Sequence, residues 1–213
     1  MKRGIITIMI CALSFWVLPA KAALVTIQIS AEVDDVADPF GYLEGKVEVG
    51  GIITGTYTYD LLTLDSNPSP QGADYVYRNE PSGIFLTVGG FEFKSDPLTL
   101  DFVIEIINDH YSGGLSDIYL LISYSNLPLS NGSAVGGISW TLEDPMGKAL
   151  SSDVLPTTAP VLDDWGFNRL NIGGGTRARP FGFLGHVTST EVIPEPATIW
   201  LLGLGSLLLR KQK

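Results

Sequence analysis

Residues 86–93 read Leu86-Thr87-Val88-Gly89-Gly90-Phe91-Glu92-Phe93. Apolar and polar side chains alternate on both sides of a glycine pair, the period of a strand with one buried face. A two-residue turn needs positive φ at its centre, which glycine adopts without steric cost, so the stretch predicts a β-hairpin. The same device is read at Val47-Glu48-Val49, Gly50-Gly51 and Ile52–Asp60, where residues 56–59 are Thr-Tyr-Thr-Tyr.

Working outward, strands are expected at Val25–Ser30, Leu100–Ile107, Asp117–Tyr124, Gly137–Leu142, Asn168–Ile172 and Phe181–Val187. The apolar run of Ile104, Ile106, Ile107, Ile118, Leu120, Leu121 and Ile122 predicts central strands covered on both faces. Helical periodicity is not sustained over a dozen residues anywhere in the middle of the chain; Pro145–Ser152 is the best helix candidate there. About ten to twelve short strands with regular turn signals predict an all-β fold, an antiparallel β-sandwich or jelly-roll-like single domain over residues 23–190. No repeat of fixed period points to a propeller or solenoid. Asp65–Asp74 reads as a proline-bearing loop, Ser151–Trp165 as an extended crossover and residues 189–193 as a tether.

Residues 1–22 read as a secretory signal peptide forming a signal helix. Lys2 and Arg3 are basic, Gly4–Leu18 is apolar, Pro19 breaks the run, and Ala20-Lys21-Ala22 is a small-x-small cleavage site placing Ala23 first in the mature chain. Cys11 is the only cysteine, and Ile10 before it does not fit a lipoprotein site. The exported chain therefore has no disulfide, thiolate metal site or cysteine nucleophile. Between Ala23 and Thr190 there are 21 acidic residues against 7 basic ones, a balance of −14. That charge argues against nucleic acid and anionic lipid as partners.

Catalytic motifs are absent: His110 and His186 sit in no recognisable pattern, and no helix follows Gly173-Gly174-Gly175 to cradle a phosphate. Opposed acids on a β scaffold can hydrolyse glycosides, and Glu48, Glu92, Asp101, Glu105 and Glu143 fall on strand candidates, where the plainer reading is a solvent face. No cofactor is expected, structural calcium excepted. Asp60, Asp65, Asn67 and Asp74, and separately Asn108, Asp109 and Asp117, offer hard oxygen ligands on loops, although Asp and Asn also favour turns in their own right. Trp140, Trp165, Tyr57, Tyr59, Tyr75, Tyr77, Tyr111, Tyr119 and Tyr124 include candidates for sugar stacking. Tyr75 and Tyr77, sharing a strand face beside the proline-bearing loop, are the preferred exposed pair for glycan contact.

The chain ends VIPEPATIWLLGLGSLLLRKQK, residues 192–213. Ala197–Leu209 is uncharged, and as a helix it covers about 20 Å against a hydrocarbon core of about 30 Å. Arg210, Lys211 and Lys213 form a basic transmembrane stop, and the N-terminal signal independently puts the body of the chain on the opposite side. Pro194-Glu195-Pro196 stays extended ahead of that transmembrane helix because proline fixes φ and lacks an amide donor.

Pro-Glu-Pro, a short apolar helix and a terminal basic cluster, in that order, resemble the PEP-CTERM sorting signal of Gram-negative-type bacteria, here over residues 191–213. The resemblance implies an exosortase partner, a membrane cysteine transpeptidase that recognises Pro194, Glu195 and Pro196 and cuts nearby. It also implies transient inner-membrane insertion, then release to the cell surface or an exopolysaccharide matrix. Residues 55–60 with the Asn67-Pro68 loop, 86–90 and 149–156 are similar to the β-rich domain such proteins often carry, which brings no biochemical activity with it. The expected function is that of an exported surface or matrix protein, associated with exopolysaccharide or biofilm and without catalysis. The alternative is a secreted carbohydrate-binding or glycan-active β-sandwich protein.

Overall fold

The computed structural model describes residues 24–111 and 115–194, and of His110, Tyr111 and Leu115 the backbone alone. Ten strands follow one another: β1 (Leu24–Ala37), β2 (Ile52–Asp60), β3 (Gly72–Tyr77), β4 (Gly83–Val88), β5 (Phe91–Lys94), β6 (Phe102–Tyr111), β7 (Leu115–Ser123), β8 (Val135–Asp144), β9 (Phe167–Thr176) and β10 (Arg179–Ile193). A 3-10 turn at Leu162–Asp164 is the only helical piece among the described residues, and Pro145–Ser152 forms turns and bends, not a helix. The strands make one sheet in the order β3-β6-β7-β8-β9-β10-β1-β2-β4-β5, with every neighbouring pair antiparallel.

The all-β antiparallel reading holds, but two stacked sheets do not form. The single sheet curls into an open half-barrel whose concave face meets itself. Tyr119 of β7 donates its hydroxyl to that of Tyr57 of β2 at 3.2 Å. Trp140 of β8 meets Tyr57 edge-on at 6.0 Å between ring centroids, and Phe93 of β5 meets Phe183 of β10 at 5.3 Å. None of these pairs are sheet neighbours, so their contact defines the curl. Large aromatic side chains fill the wide interior that aliphatic ones would leave open.

Because one face is buried, inward residues alternate with outward ones along nearly every strand. Ile104, Ile106 and Leu121 are buried, whereas Ile107, Ile118, Leu120 and Ile122 lie on the convex face and stay partly exposed. Burial of that run on both faces is thus corrected.

Both open edges are blunted, as unpaired strand edges must be. Beyond β3, Ser66 N–H donates to Asp74 O at 2.9 Å, and Asp65 bridges Tyr75. Beyond the four-residue β5, Leu127 N–H donates to Lys94 O and Asp96 N–H to Ser125 O, both at 2.9 Å. One end of the roll is capped by the β8–β9 crossover: Pro156 O accepts from Tyr59 hydroxyl at 2.7 Å, and Pro160 O accepts from Thr190 hydroxyl at 2.7 Å.

The β4–β5 hairpin forms as expected, with φ of 58° at Gly89 and 79° at Gly90. The expected first hairpin does not. Val47–Val49 is not a strand; β1 runs on to Ala37 and itself pairs with β2, Glu32 standing opposite Ile52. Residues 38–46 are coiled by Asp38, whose carboxylate accepts from Tyr42 N–H at 2.8 Å and Leu43 N–H at 2.6 Å. Gly50 and Gly51 instead exchange backbone hydrogen bonds with Val33.

Candidate functional site

Tyr75 and Tyr77 do share one face of β3, but it is the concave one. They are 7% and 4% exposed, and their hydroxyls donate to Asp153 O at 3.1 Å and Asp60 O at 3.5 Å. Burial pushes both phenols up from their ordinary pKa. They are core tyrosines that tie loops to the roll, and no ring face is left for a sugar.

The acids are dispersed. Glu48 lies in the β1–β2 loop, Glu92 pairs with Lys94, Asp101 pairs with Arg78, and Glu143 stands on β8 opposite Ile118. Glu105 stands opposite Asp74 on adjacent strands of the convex face, not across a cleft. On the two loops considered for calcium, the oxygens face backbone amides. Asp65 Oδ1 accepts from Asn67 N–H at 2.8 Å and Asp74 N–H at 2.9 Å, and Asn67 Oδ1 accepts from Ser69 N–H at 2.9 Å. Asp117 is buried, accepting from Asp109 N–H at 3.0 Å and Leu150 N–H at 2.7 Å. Among the described residues no group of three His, Cys, Asp or Glu is gathered to hold a metal ion. His186 Nδ1 lies 2.7 Å from Asp34 Oδ1 at the surface.

A groove of about 560 Å³ runs over the convex face where β7, β8 and β9 meet. Tyr124, 57% exposed, stands in it with Ile122, Ser139, Asn171 and Arg177, over a floor that includes Gly137 and Gly173. Neither glycine has positive φ; a Cβ on Gly137 would meet nothing within 4 Å, and one on Gly173 only Phe181 O at 3.7 Å. Glycine within a strand costs about 0.5–1 kcal/mol relative to alanine, and neither turn nor packing requires it here. What the two positions provide is bare backbone under a groove. Tyr124 was one of the stacking candidates in the sequence; Gly137, which opens one strand candidate, and Gly173, just past the end of another, were not read there as a groove floor.

In the middle of the sheet the first and last described strands meet. β1 and β10 are central neighbours, with Thr26 opposite Ile193 and Ile27 opposite Val192. Leu24 opens β1, two residues past the expected cleavage site, and the exposed Pro194 follows β10 directly. Residues 192–212 match the PEP-CTERM protein-sorting motif. The chain carries a PEP-CTERM sorting signal. No curated protein and no solved structure matches the chain.

The PEP-CTERM motif makes this an exported protein, sorted by its C-terminal signal and processed by an exosortase-type enzyme. Ala20, Ala22, Glu195, Pro196, Arg210, Lys211 and Lys213, with the signal and membrane segments, lie outside the described residues. Among the described residues no helix is long and apolar enough to cross a membrane. The tether expected at 189–193 is in fact the end of β10, the longest of the described strands. Its β-branched series Val187, Thr188, Thr190, Val192 and Ile193 was the available signal.

Proposed function

We propose that the sorted protein is a non-catalytic component of the cell surface or extracellular polysaccharide matrix, delivered there after transient insertion in the inner membrane. The sorting motif at residues 192–212 carries this reading. The convex groove supports its carbohydrate part: an exposed aromatic ring, amide, hydroxyl and guanidinium groups, and a floor without side chains suit a flat, hydroxyl-rich chain. An acidic body suits a soluble extracytoplasmic protein.

The test is retention of the full protein in the matrix of exosortase-proficient cells. Tyr124→Ala removes a stacking surface of about 0.5–1.5 kcal/mol, so retention weakens about 2- to 12-fold. Gly137→Val fills the floor and weakens it without unfolding the sheet, since its Cβ has open space. Retention equal to wild type in both variants removes the groove from the reading. The wild-type surface form should lack the basic tail; a mature mass that still includes Lys213 sinks the sorting part.

A glycan-active enzyme is the second reading, favoured by one observation: Asp60 and Glu80 line a single groove of about 300 Å³ beside Tyr77 and Arg78. Asp60 Oδ1 already accepts from Leu62 N–H at 2.9 Å, as a turn residue does. Turnover on a polysaccharide panel that is lost in Glu80→Gln would establish it in place of the non-catalytic role.

A further inference from the structure

The matched motif and the folded sheet overlap. Val192 and Ile193 belong to the motif and are also the last two residues of β10, held against Ile27 and Thr26 of β1. Val192 packs against the core, while Ile193 is 39% exposed at the corner of the ladder. Thr26 is anchored on its other side by a 2.9 Å hydroxyl contact with Thr58 of β2. No spacer separates this ladder from Pro194.

An enzyme that cuts a peptide chain holds the residues flanking the bond extended, through their backbone groups. Antiparallel rungs alternate, so the backbone N–H and C=O of one of Val192 and Ile193 pair with β1, and that pairing holds both residues in the sheet. Resting on the reading that an exosortase-type enzyme processes this chain, we propose that the β1–β10 corner is a gate on the sorting site: processing proceeds only when the rungs Thr26–Ile193 and Ile27–Val192 open. Strand ends fray far more readily than whole sheets unfold, so the gate slows processing without abolishing it. Among the described strands β1 is the first and β10 the last, so the gate closes only when the chain between them has been exported. Processing and completion of the sheet therefore compete for the same residues.

A cross-link tests the gate. Thr26 and Ile193 are directly opposed on antiparallel strands, a separation of about 4.5–5.5 Å between Cα atoms that a disulfide accepts. Thr26→Cys with Ile193→Cys places the only cysteines in the chain once the segment bearing Cys11 is removed. In cells that process the wild-type protein, the oxidised double variant should lose its C-terminal tail at least about tenfold more slowly, with dithiothreitol restoring the rate. Either single variant should behave as wild type. A Gly-Ser insertion between Ile193 and Pro194 should restore processing to the cross-linked protein, because the enzyme then finds extended chain outside the sheet. A cross-linked protein processed at the wild-type rate overturns the gate, and so does one that stays slow with the insertion. Failure of the wild-type protein to be processed at all would instead overturn the sorting reading on which the gate rests.

Discussion

Asp144 closes β8 with a carboxylate that accepts from Met146 N–H at 2.9 Å and Lys148 N–H at 2.7 Å. Those amides hold its carboxyl below the usual carboxylate range. A depressed pKa in the folded state stabilises the fold above the unfolded value near about 3.9. That contribution disappears as pH falls through the folded value. Asp144→Asn keeps the shape but not the charge. Its melting temperature should lie below wild type near neutrality, with the gap narrowing as pH falls from about 5 to about 2. A gap that stays constant across that window would show that the turn has no preference for the ionised form. Residue types alone did not separate this acid from its neighbours. Asp117 was one of several possible calcium oxygens and Glu143 a strand acid read first as solvent-facing, yet the buried acids are those whose oxygens meet loop amides. Sequence spacing does not encode which amides a loop will offer.

The β4–β5 hairpin separates two effects that glycine usually mixes. Gly89 and Gly90 both have positive φ, but a Cβ on Gly89 would come within 2.3 Å of Lys46 O, whereas one on Gly90 meets nothing within 4 Å. Gly90→Ala should therefore destabilise by the left-handed strain alone, about 1–2 kcal/mol. Gly89→Ala should exceed it by displacing the β1–β2 loop, which packs Val47 into the core. Equal losses in denaturant titrations of the two variants would refute the close approach. This hairpin was fully legible because its turn chemistry and alternation lie within eight residues. The cores of β1, β2 and β6 to β10 were legible for the same reason. Val47–Val49 misled because its alternation was real but the turns coiled by Asp38 removed it from any ladder. The end of β10 was missed because residues 189–193 read as a tether ahead of the sorting signal, while the partner that makes them a strand is β1, far away in sequence.

At the scale of the molecule, alternation shows that each strand has one buried face but not what that face meets. A second sheet and the same sheet curled over give identical patterns along a strand, so the sandwich expectation and the observed half-barrel differ only in long-range contacts. Tyr75 and Tyr77 suffered from the same ambiguity: their shared face was legible, its direction was not. The curl gathers Tyr57, Tyr59, Tyr77 and Tyr119 inside one roll, where burial drives every one of these phenols above its ordinary pKa. An acid whose pKa is raised by folding favours the folded state below its unfolded value, near about 10 for tyrosine, and that advantage is lost as pH rises beyond it. Four such groups together withdraw about 5 kcal/mol per pH unit once the unfolded phenols are ionised, an amount comparable with the whole stability of a domain. The roll should therefore unfold in one steep alkaline transition, with phenolate absorbance appearing together with loss of the β-sheet signal. Replacing the facing pair, Tyr57→Phe with Tyr119→Phe, removes both partners of one hydrogen bond and should be nearly neutral at neutral pH. The same double variant loses two ionisable groups, so its alkaline midpoint should move upward. Phenolate absorbance that rises while the sheet signal persists would mean that the tyrosines ionise in place, and that the roll opens to water without unfolding.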